Sequence, residues 1–157
     1  MGLFEGIEDA EIFERGKFLP AGFVGVLEVK RTLAKDSIKS GMGFIVEFEV
    51  IASNREDVPV GSKATWWQGM KDRTVAFPAI KEFVAVLSGF ERHQKDEINA
   101  EVSPVLAQLL DHATENPDSN DLIGQRIQCE TANKRTRNDR DFTLHLWSPY
   151  VPPPTGG

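Results

Sequence analysis

Leu122-Ile-Gly-Gln-Arg-Ile-Gln-Cys-Glu-Thr131 and Asp141-Phe-Thr-Leu-His-Leu-Trp147 are two apolar runs that alternate with a period of two across a polar connection. Such alternation predicts two half-buried strands, closing the domain as a hairpin from Leu122 to Tyr150. Ile123, Ile127 and Cys129 share one parity in the first run, and Phe142, Leu144 and Leu146 share one in the second. These are the expected core positions, an assignment that turns His145 and Trp147 outward. The connection carries Lys134, Arg135, Arg137 and Arg140. A hairpin turns on a few polar residues, so this cationic tip exceeds what folding requires and suits an anionic ligand.

Upstream, the same period recurs. Phe23 to Arg31 reads as a strand, with Gly25 predicting a bulge or sharp bend inside it. Gly43 to Ile51 places Phe44, Val46, Phe48 and Val50 on one face and Glu47 and Glu49 on the other. The polar tract between these two strands reads as a connecting loop. With the end of the first strand, it gives a second basic cluster, Lys30, Arg31, Lys35 and Lys39. Ser62 to Met70 is the third strand and contains Trp66-Trp67. Neighbours on a strand point to opposite faces, so one indole is expected in the core and the other on display.

The period then changes to that of a helix. Ile80, Phe83, Val84 and Leu87 fall at i, i+3, i+4 and i+7 within Thr74 to Gly89, with Pro78 expected in the first turn and Gly89 just past the end. A charged linker, Glu91 to Glu101, leads to a second helix capped by Ser103, begun by Pro104 and striped by Val105, Leu106, Leu109 and Leu110. Residues 1–17 read as an acidic arm and residues 18–150 as one domain. Residues 151–157, Val-Pro-Pro-Pro-Thr-Gly-Gly, read as an extended tail.

A chain of 157 residues suits a single core. The formal charge of −6 argues against a uniformly basic nucleic-acid binder, so the placement of charge carries more information than its sum. One cysteine, Cys129, permits no internal disulfide and no cysteine-rich metal site. No apolar run approaches the roughly 20 residues that span a bilayer, and the acidic N-terminal stretch does not suit a secretory signal. A cytoplasmic protein is expected. His93, His112 and His145 are scattered without metal-ligand spacing, and no nucleophile elbow or glycine-rich phosphate loop is present. The expectation is no catalytic residue, no metal, no cofactor and no enzymatic activity.

Three strands, a helix and two strands is the chain order of the five-stranded OB barrel, here with an added helical insertion before the fourth strand. The expected fold is therefore mainly β, a five-stranded OB-like antiparallel barrel with its main helix between strands three and four. In that fold, the loops joining strands one and two and strands four and five bind oligonucleotides or oligosaccharides. Here they are the two basic clusters. The arrangement resembles the OB-fold single-stranded DNA-binding proteins, and the stretch from Leu19 to Ser53, LPAGFVGVLEVKRTLAKDSIKSGMGFIVEFEVIAS, looks like small replication-associated proteins of bacteriophages. The resemblance covers about residues 18 to 150.

It implies non-sequence-specific binding of single-stranded DNA in phage replication or recombination, with replication or recombination proteins as partners and no membrane. Lys30, Arg31, Lys35, Lys39, Lys134, Arg135, Arg137 and Arg140 would track phosphates, and Trp66 or Trp67, with Trp147, would stack on bases. Bacterial single-strand binders end in an acidic recruiting tail, which residues 151–157 do not provide. The competing expectation is a protein-interaction module, a phage structural or host-modulating factor, favoured by net negative charge and outward Glu47 and Glu49. The oligomeric state, including a homo-oligomer, stays open.

Overall fold

A computed structural model describes residues 17–37, 41–135 and 141–152. Its elements are β1 (Lys17–Phe18), β2 (Val24–Ser37), β3 (Gly41–Ser53), β4 (Lys63–Gly69), α1 (Arg73–Leu87), α2 (Lys95–Glu101), α3 (Ser103–Glu115), β5 (Arg126–Arg135) and β6 (Asp141–Pro149). The strands form one sheet in the order β1-β4-β3-β2-β5-β6. Its five longer strands are antiparallel, and the two-residue β1 adds in parallel along β4. The mainly-β class, the helix after the third long strand and the helical insertion are all present.

Closure is not. Among the described residues β4 and β6 share no hydrogen-bonded ladder, so the sheet is open where a barrel would join. It is nevertheless curled enough that Trp66 on β4 and Trp147 on β6 bring their rings to 5.3 Å. Helix α1 lies against β4, β5 and β6 and sends Phe83 to 5.0 Å from both indoles. Curvature comes from two register shifts in β2, at Val26/Leu27 and Val29/Arg31. Gly25 permits the first. A Cβ there would stand 2.0 Å from the carbonyl oxygen of Ala52, so only glycine lets β3 approach so closely.

The inner face is apolar throughout. Leu27, Val29, Phe44, Val46, Phe48, Val50, Trp66, Ile127, Cys129 and Trp147 are buried there, with Phe83 and Ile80 from α1. Burial pushes the Cys129 thiol up to about 12, leaving it an uncharged core group. One parity expectation is overturned. Cys129 pairs with Trp147 and Thr131 with His145, and paired residues share a face, so His145 and Trp147 point inward while Leu144 and Leu146 point outward. The larger ring system fills the core better than two leucines, because aromatic side chains dominate burial.

Other differences have equally local causes. The tract after Arg31 is strand rather than loop, because β2 continues to Ser37 and pairs with β3 down to Gly41. Helix α1 begins at Arg73, where the Asp72 side chain accepts from the Thr74 N–H, so Pro78 stands inside the helix instead of in its first turn. Residues of the expected charged linker form α2, whose single buried residue, Ile98, leaves almost no periodic signal. Ser103 does not cap α3, since Val102 occupies the cap position and no side chain bonds the first turn.

Helix α3 is tied to β2 by a satisfied buried hydroxyl. Thr32 Oγ1 donates to the Ala113 carbonyl at 3.0 Å and accepts from Asn120 Nδ2 at 3.0 Å, while the Thr32 N–H reaches the Pro117 carbonyl. Neutral bonds of this kind contribute about 1 kcal/mol each and fix position more than they add stability. They hold the turn carrying Asp118 beside β2. Residues 1–16 of the expected acidic arm, 1–17, and residues 153–157 of the tail lie outside the described residues.

Candidate nucleic-acid interface

The outer face of β2, β3 and β4 is a small lattice set by strand register. Leu33, Ile45 and Trp67 stand in one row across the three strands. On one side lies the row Lys35, Gly43, Gly69; on the other, Arg31, Glu47, Thr65, followed by Glu28, Glu49, Lys63. Trp67 is the displayed indole and Trp66, only 6% exposed, the core one.

Gly43 explains how Trp67 sits. A Cβ at this position would meet Trp67 Cη2 at 2.2 Å and Cζ2 at 2.3 Å, so the benzo ring occupies the space a side chain would fill. A glycine beneath an aromatic ring lets the ring lie close on the sheet. The indole remains half-buried, with part of its surface open to solvent.

Beyond Glu47 the surface sinks into a cleft of about 330 Å³ lined by Lys30, Arg31, Lys63, Glu47, Glu49 and Asp118, among others. Its charges are partly paired. Lys30 forms an ion pair with Glu28, and Arg126 Nε donates to the same carboxylate at 3.1 Å. Lys30, then Arg126, holds the Glu28 carboxyl below the usual carboxylate range despite partial burial. Arg31 Nε lies 3.3 Å from Asp118 Oδ1, close enough for charge attraction but without hydrogen-bond alignment. The Nε is thus paired by charge alone. Thr65 Oγ1, in the same row, is buried without a hydrogen-bond partner.

Of the residues expected to bind, this face gathers Lys30, Arg31, Lys35 and Trp67. Trp66 and Trp147 are in the core and offer no open ring face to a base. Lys39, Arg137 and Arg140 lie outside the described residues. Lys134 and Arg135 are the last residues of β5. The two basic tips expected to converge, residues 38–40 and 136–140, lie outside the described residues. Val24 pairs with Glu130 and Glu28 with Arg126, so the β5–β6 hairpin projects past the start of β2, whereas the β2–β3 hairpin extends from its end.

Lys63, Thr65, Gly43 and Asp118 were not anticipated. The first two share the outward parity of Trp67, which was a readable signal. Asp118 reaches the site through the fold of a loop and left none. Among the described residues no group of three His, Cys, Asp or Glu side chains is placed to hold a metal, and no helix is long and apolar enough to cross a membrane. No protein-family model matches the chain, and no curated protein matches it either.

Proposed function

We propose that the protein binds single-stranded DNA across the outer face of β2, β3 and β4, in an OB-like barrel left open between β4 and β6. The observation that carries this reading is Trp67, laid over Gly43 with the exposed Lys35 in one neighbouring row and Arg31 in the other. An open aromatic ring between cations is what sequence-tolerant strand binding requires, because every base has a stacking face and every phosphate a charge. The resemblance of residues 19–53 to phage replication-associated proteins agrees with this reading, under which the protein would act in replication or recombination. No covalent step and no cofactor enter the mechanism. Bound strands would be held open by stacking and phosphate contacts alone.

Titration of intrinsic tryptophan emission with oligo-dT at low salt tests this. Quenching reversed by added salt is the expected result. If Lys30, Arg31 and Lys35 each contact one phosphate, log K should fall against log salt with a slope of about −2. Unchanged emission, with no binding by an independent assay, removes the proposal. A second reading, docking of another protein on this face, is favoured by Glu47, Glu49 and Asp118 in the cleft. Phosphates avoid those carboxylates, and basic side chains of a partner would not.

A further inference from the structure

Two acidic residues in a groove for a polyanion need a physical reason. Glu47 and Glu49 sit on the outer face of β3, between the cations of β2 and Lys63 of β4, and line the cleft beside Trp67. Phosphate contact would be repulsive there. A nucleobase, however, is neutral and carries hydrogen-bond donors.

The row containing Glu47 has a definite pattern. Glu47 presents a carboxylate, an acceptor only. On one side stands Arg31, a cation whose Nε is ion-paired with Asp118 at 3.3 Å and whose guanidinium lines the cleft. On the other stands Thr65, outside the cleft lining. Within the cleft, then, an acceptor-only carboxylate stands beside a donor-only guanidinium.

We infer that the cleft reads one nucleobase of the bound strand and selects a base whose exocyclic amine adjoins a ring nitrogen acceptor on the Watson–Crick edge, that is cytosine or adenine. The amine donates to the Glu47 carboxylate, the contact by which acidic side chains recognise cytosine N4. The adjacent ring nitrogen accepts from the guanidinium of Arg31, which lines the same cleft. Thymine presents a carbonyl oxygen where the amine would be, so it meets the carboxylate with repulsion and leaves the donors mismatched. The cleft, at about 330 Å³, lies at the lower end of the range for small-molecule pockets. Along the strand, Glu47 is four residues from Gly43, roughly 13 Å, so the base read here is not the one stacked on Trp67.

This rests on the single-strand reading above, and the test separates the two. Affinities of the full chain for (dC)20 and (dT)20 are measured by anisotropy of labelled strands at one salt concentration and pH 8. The expected result is that (dC)20 binds about fivefold tighter or more. In Glu47→Gln the ratio should fall to about one, because a carboxamide can turn its oxygen to an amine or its nitrogen to a thymine carbonyl. The thermal midpoint of that variant, whose position is half-exposed, should stay near that of the parent. Equal affinities in the parent, or a ratio unchanged by Glu47→Gln, overturn base reading while leaving strand binding intact. Absence of binding to both strands removes the parent reading and this one together.

Discussion

Trp66 and Trp67 are consecutive residues of the same type on the same strand, and they belong to two different regions of the molecule. Trp66 faces in, 6.2 Å from the Phe44 ring, 5.0 Å from Phe83 and 5.3 Å from Trp147, in a cluster that spans both edges of the curled sheet. Trp67 faces out over a glycine, with charged rows beyond it. Inside, the indole's value is the apolar area removed from water and its close contacts with other rings. Outside, the same ring is held in place but incompletely covered, which contributes less to folding and leaves a surface for a ligand. One residue of register decides between a core ring and a displayed ring, the one proposed to stack on a base.

The two regions should therefore separate under substitution. Trp66→Ala is expected to destabilise the fold by about 3 to 5 kcal/mol, since it opens a cavity between β4, β6 and α1. Chemical denaturation checks this. A loss below about 1 kcal/mol would mean that the aromatic cluster is not the core.

His145 sharpens the account of the inner region. Its ring stacks on Trp147 at 5.4 Å, its Nε2 is buried without a partner, and burial pushes its pKa down to about 4, offset only in part by a hydrogen bond to the Thr143 backbone. The unfolded chain takes up this proton near pH 6.5 and the folded chain only near 4. The stability attached to the neutral ring is thus fully present above about pH 6.5 and is lost as pH falls towards 4, by up to about 3 kcal/mol. In His145→Phe that part of the acid slope should disappear. An identical slope in parent and variant would place the histidine in water.

Gly43→Ala probes the outer region and is the smallest of these stability effects. Its new methyl would sit 2.2 Å from Trp67 Cη2, so the indole must swing away. Overpacking of this kind costs about 1 to 3 kcal/mol in a closed core; on an open face the lower end is expected. The informative readout is that single-strand affinity falls with it. Retained affinity would show that the ring's seat on the sheet does not matter for binding.

Much of the inner region was legible in the sequence because burial imposes a period. Phe44, Val46, Phe48 and Val50 alternate with Glu47 and Glu49, and the structure keeps both faces as read. The closing hairpin was legible as two strands but not in its facing. Leu144, Leu146, His145 and Trp147 are all large enough to be core residues, so parity alone could not choose; the pairing of Cys129 with Trp147 does. The outer region was less legible. Thr32, Leu33 and Ala34 between charged residues resemble a loop by composition, yet they continue β2 because β3 offers partners for each. The row that joins Arg31, Glu47 and Thr65 is a property of register across three strands, and no local pattern announces it. Opposite projection of the two hairpins follows from the same register.

Through Trp67, the outer face is proposed to engage a single strand while contributing little to stability. The most direct test is the affinity of Trp67→Ala for a labelled oligonucleotide at low salt, measured by anisotropy alongside its thermal unfolding. Loss of one stacked base predicts weakening by about 1 to 3 kcal/mol, roughly fivefold to more than a hundredfold, with a midpoint shifted by only a few degrees. Equal affinity and an equal salt slope in variant and parent would contradict the account, whatever else the protein binds.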